Sequence, residues 1–178
     1  MPSITQQNNY AYLFFSLILF LFTASFMVEL ESSSTGKNIF SVLIVLMLIV
    51  SLKSLNTEKT WRRSVYGLIL FFMFFTLIEK LLPYQLHVFI ILLTLLIFFI
   101  GSFLTNIKQV FLTGDIDTNK IIGSLTLYIL LGLIWTIIYL MLLTIDAQAF
   151  SGVEAVTHWK QMFSHMAYYS FISLTTVG

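Results

Sequence analysis

Cysteine is absent from this 178-residue chain, and charged residues make up only 10% of it. Without cysteine there are no disulfides, no thiolate metal sites and no cysteine nucleophiles. A net charge of +1 gives no basic surface of the kind that binds nucleic acid, so we expect no nucleic-acid partner. Soluble domains typically carry about 25% charged and about 45–50% apolar residues. In this chain the charged fraction is 10% and the hydrophobic fraction is 58%. This balance indicates an integral membrane protein embedded in a lipid bilayer.

Signatures of catalysis are missing as well. The sequence contains no P-loop, no His-Glu-x-x-His motif, no dinucleotide-binding fingerprint and no recognisable nucleophile triad. We therefore expect neither enzyme activity nor a cofactor. Nor does any apolar stretch carry the repeated arginine or lysine residues that a voltage sensor requires.

Long apolar stretches predict membrane-spanning helices. A bilayer core of about 30 Å needs roughly 20 helical residues. We expect five full spans. The alternative is that one of the two stretches that are short by this count, the second or the third, lies in the interface or re-enters. Runs such as Phe89–Ile100 do not alternate between apolar and polar residues, which favours helices over a barrel. The expected fold class is all-α, a polytopic transmembrane helical protein. The stretches are Ala11–Val28, Ile39–Leu52, Ser64–Ile78, His87–Leu104 and Ile121–Ile145.

Basic residues in the connecting loops predict the orientation. The loop Lys53–Arg63 contains four basic residues and one acidic residue, and Thr105–Lys120 adds two more lysines. The loop Glu29–Asn38, on the opposite face, has one lysine against two glutamates. Because basic loops stay in the cytoplasm, we expect a multi-pass protein of the cell membrane with a cytoplasmic N-terminus. Residues after Ile145 then lie outside.

Glycines inside the apolar stretches are expected to let helices approach closely. They are Gly67, Gly101, Gly123 and Gly132.

The composition changes after Ile145. Asp146–His158 is polar, and Trp159–Leu174 mixes aromatic, apolar and polar residues and is too short and polar for an easy sixth span. The chain then ends in Thr175-Thr176-Val177-Gly178. A long helix, a polar loop, a short semi-polar helix and this tetrapeptide together resemble the pore loop of the potassium channel family. Thr176, Val177 and Gly178 match the first three positions of the family's Thr-Val-Gly-Tyr-Gly filter.

The resemblance continues upstream of the filter residues. Tyr168 and Tyr169 occupy the places of an aromatic pair on the family's pore helix, where such residues form a cuff behind the filter. The run Ile121–Tyr139 resembles the outer helix of small bacterial channels with several spans before the pore. The specific resemblance covers Ile121–Gly178, whereas the preceding spans match only in number and hydropathy.

The resemblance implies a division of the chain into two parts. Residues 1–120 would form about four N-terminal spans. Residues 121–178 would form a pore-domain fragment: outer helix, turret, re-entrant pore helix and the start of the filter, without the inner helix. Because the sequence given stops before Tyr-Gly-Asp, we expect this chain as it stands not to conduct.

The implied function is that of a homotetrameric potassium channel subunit. Thr175, Thr176, Val177 and Gly178 would begin the selectivity filter, with K⁺ bound at the last three. Backbone carbonyl oxygens would replace the hydration shell of the ion, and the only ligand would be the permeant K⁺ itself. One alternative is a non-conducting membrane scaffold or partner-binding subunit, in which Thr175–Gly178 is a coincidence or a relic. A carrier is less favoured, because internal repeats and buried ionisable residues are not evident.

Overall fold

The computed structural model describes residues 9–25, 34–54, 59–112, 118–151 and 159–176. Most of these residues are helical, and no strand occurs among them. The all-α fold predicted from the apolar runs is therefore confirmed. A short 3₁₀ turn, Glu79–Leu81, separates the third and fourth helices. The helices of the described ranges are α1 Asn9–Ser25, α2 Ser34–Ser54, α3 Lys59–Leu77, α4 Tyr84–Leu112, α5 Thr118–Ile145 and α6 Trp159–Thr175.

Two of these helices are long and apolar enough to cross a membrane. They are Tyr84–Lys108, which is most of α4, and Thr118–Ile145, which is the whole of α5. At about 1.5 Å per residue both exceed the roughly 30 Å thickness of a bilayer core. Tyr10–Ser25 in α1 and Ser41–Ser51 in α2 are shorter apolar helices.

The two short apolar stretches of the sequence lie in longer helices. α2 has 21 residues and α3 has 19, because polar and basic residues at their ends continue the helical turns. Ser51 remains helical with its hydroxyl donating to the carbonyl oxygen of Leu48 at 2.7 Å. Thr76 does the same to Phe72 at 2.8 Å. Hydroxyls that bond within their own helix leave no polar group for the surroundings to satisfy.

The packing is centred on α5, which contacts α1, α4 and α6. α1 also contacts α2 and α6, and α3 packs between α2 and α4. One cluster of buried apolar side chains runs through all of these helices, including Leu17 of α1, Phe98 of α4 and Ile137 of α5. Close van der Waals packing of this kind is what holds helices together where water does not drive association. The division of the chain at residue 120 stays a prediction.

Close helix contacts occur at three of the four glycines. A Cβ at Gly101 would overlap the indole ring of Trp61, and one at Gly123 would overlap the side chain of Val110. The third is Gly132, described below. At Gly67 nothing lies within 4 Å of such a Cβ. The packing role predicted from sequence is thus confirmed for Gly101, Gly123 and Gly132 and wrong for Gly67, which faces outward.

Candidate functional site

The N-terminal half of α6 is held by helices that precede α5. The backbone N–H of Trp159, the first residue of α6, donates to the hydroxyl of Tyr84 at 3.1 Å. One turn further along, the ring of Phe163 packs edge-on against Phe20 of α1, with centroids 5.2 Å apart. Phe163 and Phe20 are both fully buried. The start of the short helix is therefore placed beside the start of α4.

The C-terminal half of α6 packs on α5. The hydroxyl of Ser170 donates to the carbonyl oxygen of Gly132 at 2.7 Å, and the same oxygen accepts the hydroxyl of Thr136 at 2.8 Å. The ring of Phe171 covers Gly132 so closely that a Cβ there would overlap it. Phe171 also contacts Tyr128, with centroids 5.9 Å apart. Because Gly132 has no side chain, α6 can pack this closely against α5.

The contacts fix the direction of α6. Tyr169 lies against Tyr139, whereas Phe171 lies against Tyr128, so α6 runs antiparallel to α5. Gly132 is near the middle of α5, which has 28 residues, and is about 20 Å from either end of it at 1.5 Å per residue. The last turns of α6 therefore reach the middle of the long helix instead of its far end.

The tyrosines predicted to form an aromatic cuff have different surroundings. Tyr169 packs edge-on against Tyr139 and Phe150, at centroid distances of 5.2 and 5.6 Å, and these two rings are 5.5 Å from each other. We call these three residues the Tyr169 cluster. It ties the turn after α5 to the short helix. Tyr168 is 71% exposed and has no ring contact within the described residues.

The predicted filter residues begin where α6 ends. Thr175 is the last helical residue, and its hydroxyl donates to the carbonyl oxygens of Phe171 and Ile172 at 2.9 and 3.1 Å. Thr176 follows, with its N–H donating to the carbonyl of Ser173 at 3.3 Å. The side chains of Thr175 and Thr176 are exposed. Two exposed threonines therefore lie at the C-terminal end of α6.

Thr176 has a backbone φ of 56°. This left-handed conformation is uncommon for residues other than glycine and is disfavoured for a β-branched side chain. The regular right-handed helix therefore ends at Thr175. Val177 and Gly178, the other predicted K⁺-binding residues, lie outside the described residues.

The C-terminal end of α6 carries no charged side chain. Residues 166–176 contain no acidic or basic side chain. The last carbonyl groups of a helix carry partial negative charge, and no nearby cation in this sequence segment offsets it. The threonine hydroxyls add further neutral oxygens. Such a set can attract and coordinate a monovalent cation.

Sequence reasoning missed the residues that position this helix. The bond from Ser170 to Gly132 joins residues 38 apart, and the bond from Trp159 to Tyr84 joins residues 75 apart. Only Gly132 gave a signal, as a small residue within an apolar run. Phe150 lies in the polar segment after Ile145, where a lone aromatic residue indicates no particular contact.

Comparison with protein-family models, with curated proteins and with solved structures found no match. The function must therefore be inferred from the residues and geometry of the chain itself.

Proposed function

We propose that this protein is a potassium channel subunit, with α5 as the outer helix of the pore, α6 as the pore helix and Thr175–Gly178 as the start of the selectivity filter. The observation that carries the proposal is the placement of α6. Its last turns lie beside Gly132, at the middle of α5. If α5 crosses the bilayer, the partially negative end of α6 lies deep in the membrane, where a dehydrating cation most needs stabilisation.

The chemistry of the chain end supports K⁺ as the ion. Neutral carbonyl and hydroxyl oxygens are the ligands that replace the hydration shell of K⁺ in selectivity filters. The unusual φ of Thr176 supports a backbone that has left the helix so as to redirect its carbonyl groups, and conformations of this kind cluster at ligand sites. Val177 and Gly178 would continue the same row of carbonyls, and Gly178 accepts positive φ at little cost.

The backbone carbonyl groups of a single subunit cannot surround an ion, so we propose a homotetramer with the filter on its axis. The exposed face of α6 supports this arrangement. His165, Tyr168, Ser173 and Thr175 all lie on exposed positions of the short helix. Tyr168 would then complete its packing against a neighbouring subunit.

The outer surface of the bundle supports a multi-pass location in the cell membrane. On α3, Leu70 is 70% exposed and Phe74 is 57% exposed, and exposed apolar faces of this size suit lipid better than water. We propose that α1 to α5 cross the bilayer. The basic segment Lys53–Arg63 would lie on the cytoplasmic side, as would the N-terminus.

Ion flux from liposomes tests this proposal. The full-length gene product should release K⁺ in a barium-sensitive manner and exclude Na⁺. Gly178→Ala should abolish the flux, because a Cβ disfavours positive φ. Gly67→Ala is the matched control, since nothing lies within 4 Å of that site, and it should leave the flux intact. A folded protein without K⁺ flux would support the scaffold alternative instead.

The reading frame beyond codon 178 gives a simpler test. A potassium channel gene should continue with Tyr-Gly-Asp and then a stretch of roughly 20 apolar residues that form an inner helix. A continuation that lacks either Tyr-Gly-Asp or the apolar stretch would contradict the proposal.

A further inference from the structure

A hydrogen bond joins the first residues of α6 and α4. The N–H of Trp159 donates to the hydroxyl oxygen of Tyr84 at 3.1 Å. The first four amide groups of any helix lack an acceptor within that helix. The oxygen of Tyr84 supplies an acceptor for one of them. The bond therefore links the first residue of α6 to the first residue of α4 at a solvent-exposed position.

A second polar contact links α6 to α2. The ammonium group of Lys160 donates to the hydroxyl of Ser41 at 3.3 Å, and the contact is partly buried. A partly desolvated ammonium group favours any position that satisfies its N–H donors. This contact holds the first turn of α6 from a second side, and the packing of Phe163 on Phe20 holds it from a third.

The other end of α6 is held differently. Among the described residues, the hydrogen bond of Ser170 and the ring contact of Phe171 with another helix both go to α5. The short helix is thus fixed at its start by α1, α2 and α4 and near its end by α5. A shift of α4 relative to α5 must either break the bond from Trp159 to Tyr84 or tilt α6 about Gly132.

We propose that Tyr84 is a positioning residue through which α4 sets the placement of α6 and thereby controls ion conduction. This inference rests on the proposed channel function. The helices before α5 then regulate the pore mechanically, through the start of the pore helix, without a charged sensor. The two states differ in whether α6 follows α4 or stays with α5, so any stimulus that moves α4 shifts their populations.

Amide hydrogen exchange of the full-length protein in nanodiscs tests the contact itself. Tyr84→Phe removes the acceptor oxygen and should speed exchange at the first turn of α6 about fivefold, the change expected from the loss of one net hydrogen bond. Exchange at 168–175 should not change. Tyr66→Phe is the matched control: this exposed tyrosine of α3 makes no hydroxyl bond within the described residues. Unchanged exchange in Tyr84→Phe would overturn the inference.

Single-channel recording of the same proteins tests the coupling. Tyr84→Phe should change the open–closed equilibrium constant obtained from the open probability about fivefold, as expected from the loss of one net hydrogen bond, with unitary conductance unchanged. Tyr66→Phe should match the wild type. Faster exchange with an unaltered open probability would overturn the regulatory role while leaving the channel proposal intact. Absence of K⁺ current in the wild type would instead overturn the channel proposal and the regulatory role together, and the exchange data would still report on the contact.

Discussion

The hydroxyl of Ser170 on α6 donates a hydrogen bond of 2.7 Å to the carbonyl oxygen of Gly132, near the middle of α5. Both residues are buried. The bond lies at a close contact that glycine permits, since the ring of Phe171 fills the space where a Cβ would stand. The absence of a side chain at Gly132 therefore permits the close contact between the last turns of α6 and the middle of α5.

Replacing Gly132 should destabilise the protein. In Gly132→Ala the new Cβ overlaps the ring of Phe171, and overpacking of this kind typically costs about 1–3 kcal/mol. The upper part of this range exceeds the gain of about 1 kcal/mol from replacing a helical glycine by alanine, which leaves a net loss of up to about 2 kcal/mol. Chemical denaturation in detergent micelles measures the free energy of unfolding. Gly67→Ala, which meets nothing within 4 Å, should be neutral or stabilising, and equal behaviour of the two variants would contradict the packing described.

Removing the hydroxyl of Ser170 should have a smaller effect. Ser170→Ala loses one buried hydrogen bond, worth about 1 kcal/mol, but the carbonyl oxygen of Gly132 keeps its bond from Thr136. Ser173→Ala is the control on the same helix, because Ser173 is exposed and its change should stay within about 0.5 kcal/mol. Chemical denaturation of both variants in the same detergent gives the two free energies of unfolding that test this difference. A Ser170→Ala protein as stable as the wild type would show that the bond is dispensable.

How much of this arrangement the sequence predicts depends on the range of the interaction. The helices follow from apolar runs, since a run such as Phe89–Ile100 lacks the alternation of a barrel strand and satisfies its backbone in lipid as a helix. Gly132 was correctly expected at a close contact. Its partner was not, because a small residue indicates that something approaches without indicating what.

Other parts of the site lie beyond sequence reasoning for different reasons. Tyr168 and Tyr169 are adjacent and chemically identical, and only the path of α6 decides that Tyr169 meets Phe150 while Tyr168 stays exposed. The acceptor for the N–H of Trp159 comes from Tyr84, which looks in the sequence like an ordinary interfacial residue. At Gly67 the sequence predicted a close helix contact that does not occur. An apolar context does not reveal which side of a helix faces a neighbour.

The different surroundings of the two tyrosines lead to separable effects. Tyr169→Ala removes the central ring of the Tyr169 cluster and should lower the stability of the subunit by about 3 kcal/mol or less, given that Tyr169 is only partly buried. Tyr168→Ala should leave subunit unfolding unchanged and weaken the tetramer. Native mass spectrometry measures the fraction of tetramer in each. Full tetramer formation by Tyr168→Ala would contradict the proposed subunit contact.

Voltage should affect conduction only weakly. Arg62 and Arg63 are adjacent at the start of α3, whereas a voltage sensor repeats its charges along one face of a span. Patch recordings of the full-length protein over a range of about 200 mV should show no steep activation of the kind that several gating charges produce. A conductance that rises with the steepness of several elementary charges would show that a sensor has been overlooked.

The reversal potential under opposed K⁺ and Na⁺ gradients measures most directly whether oxygens of the chain end replace water around K⁺. Full-length protein in planar bilayers should give a current that reverses close to the K⁺ equilibrium potential. The account would be contradicted by a current that reverses near zero with equal K⁺ and Na⁺ permeability, or by a folded tetramer that passes no current at all.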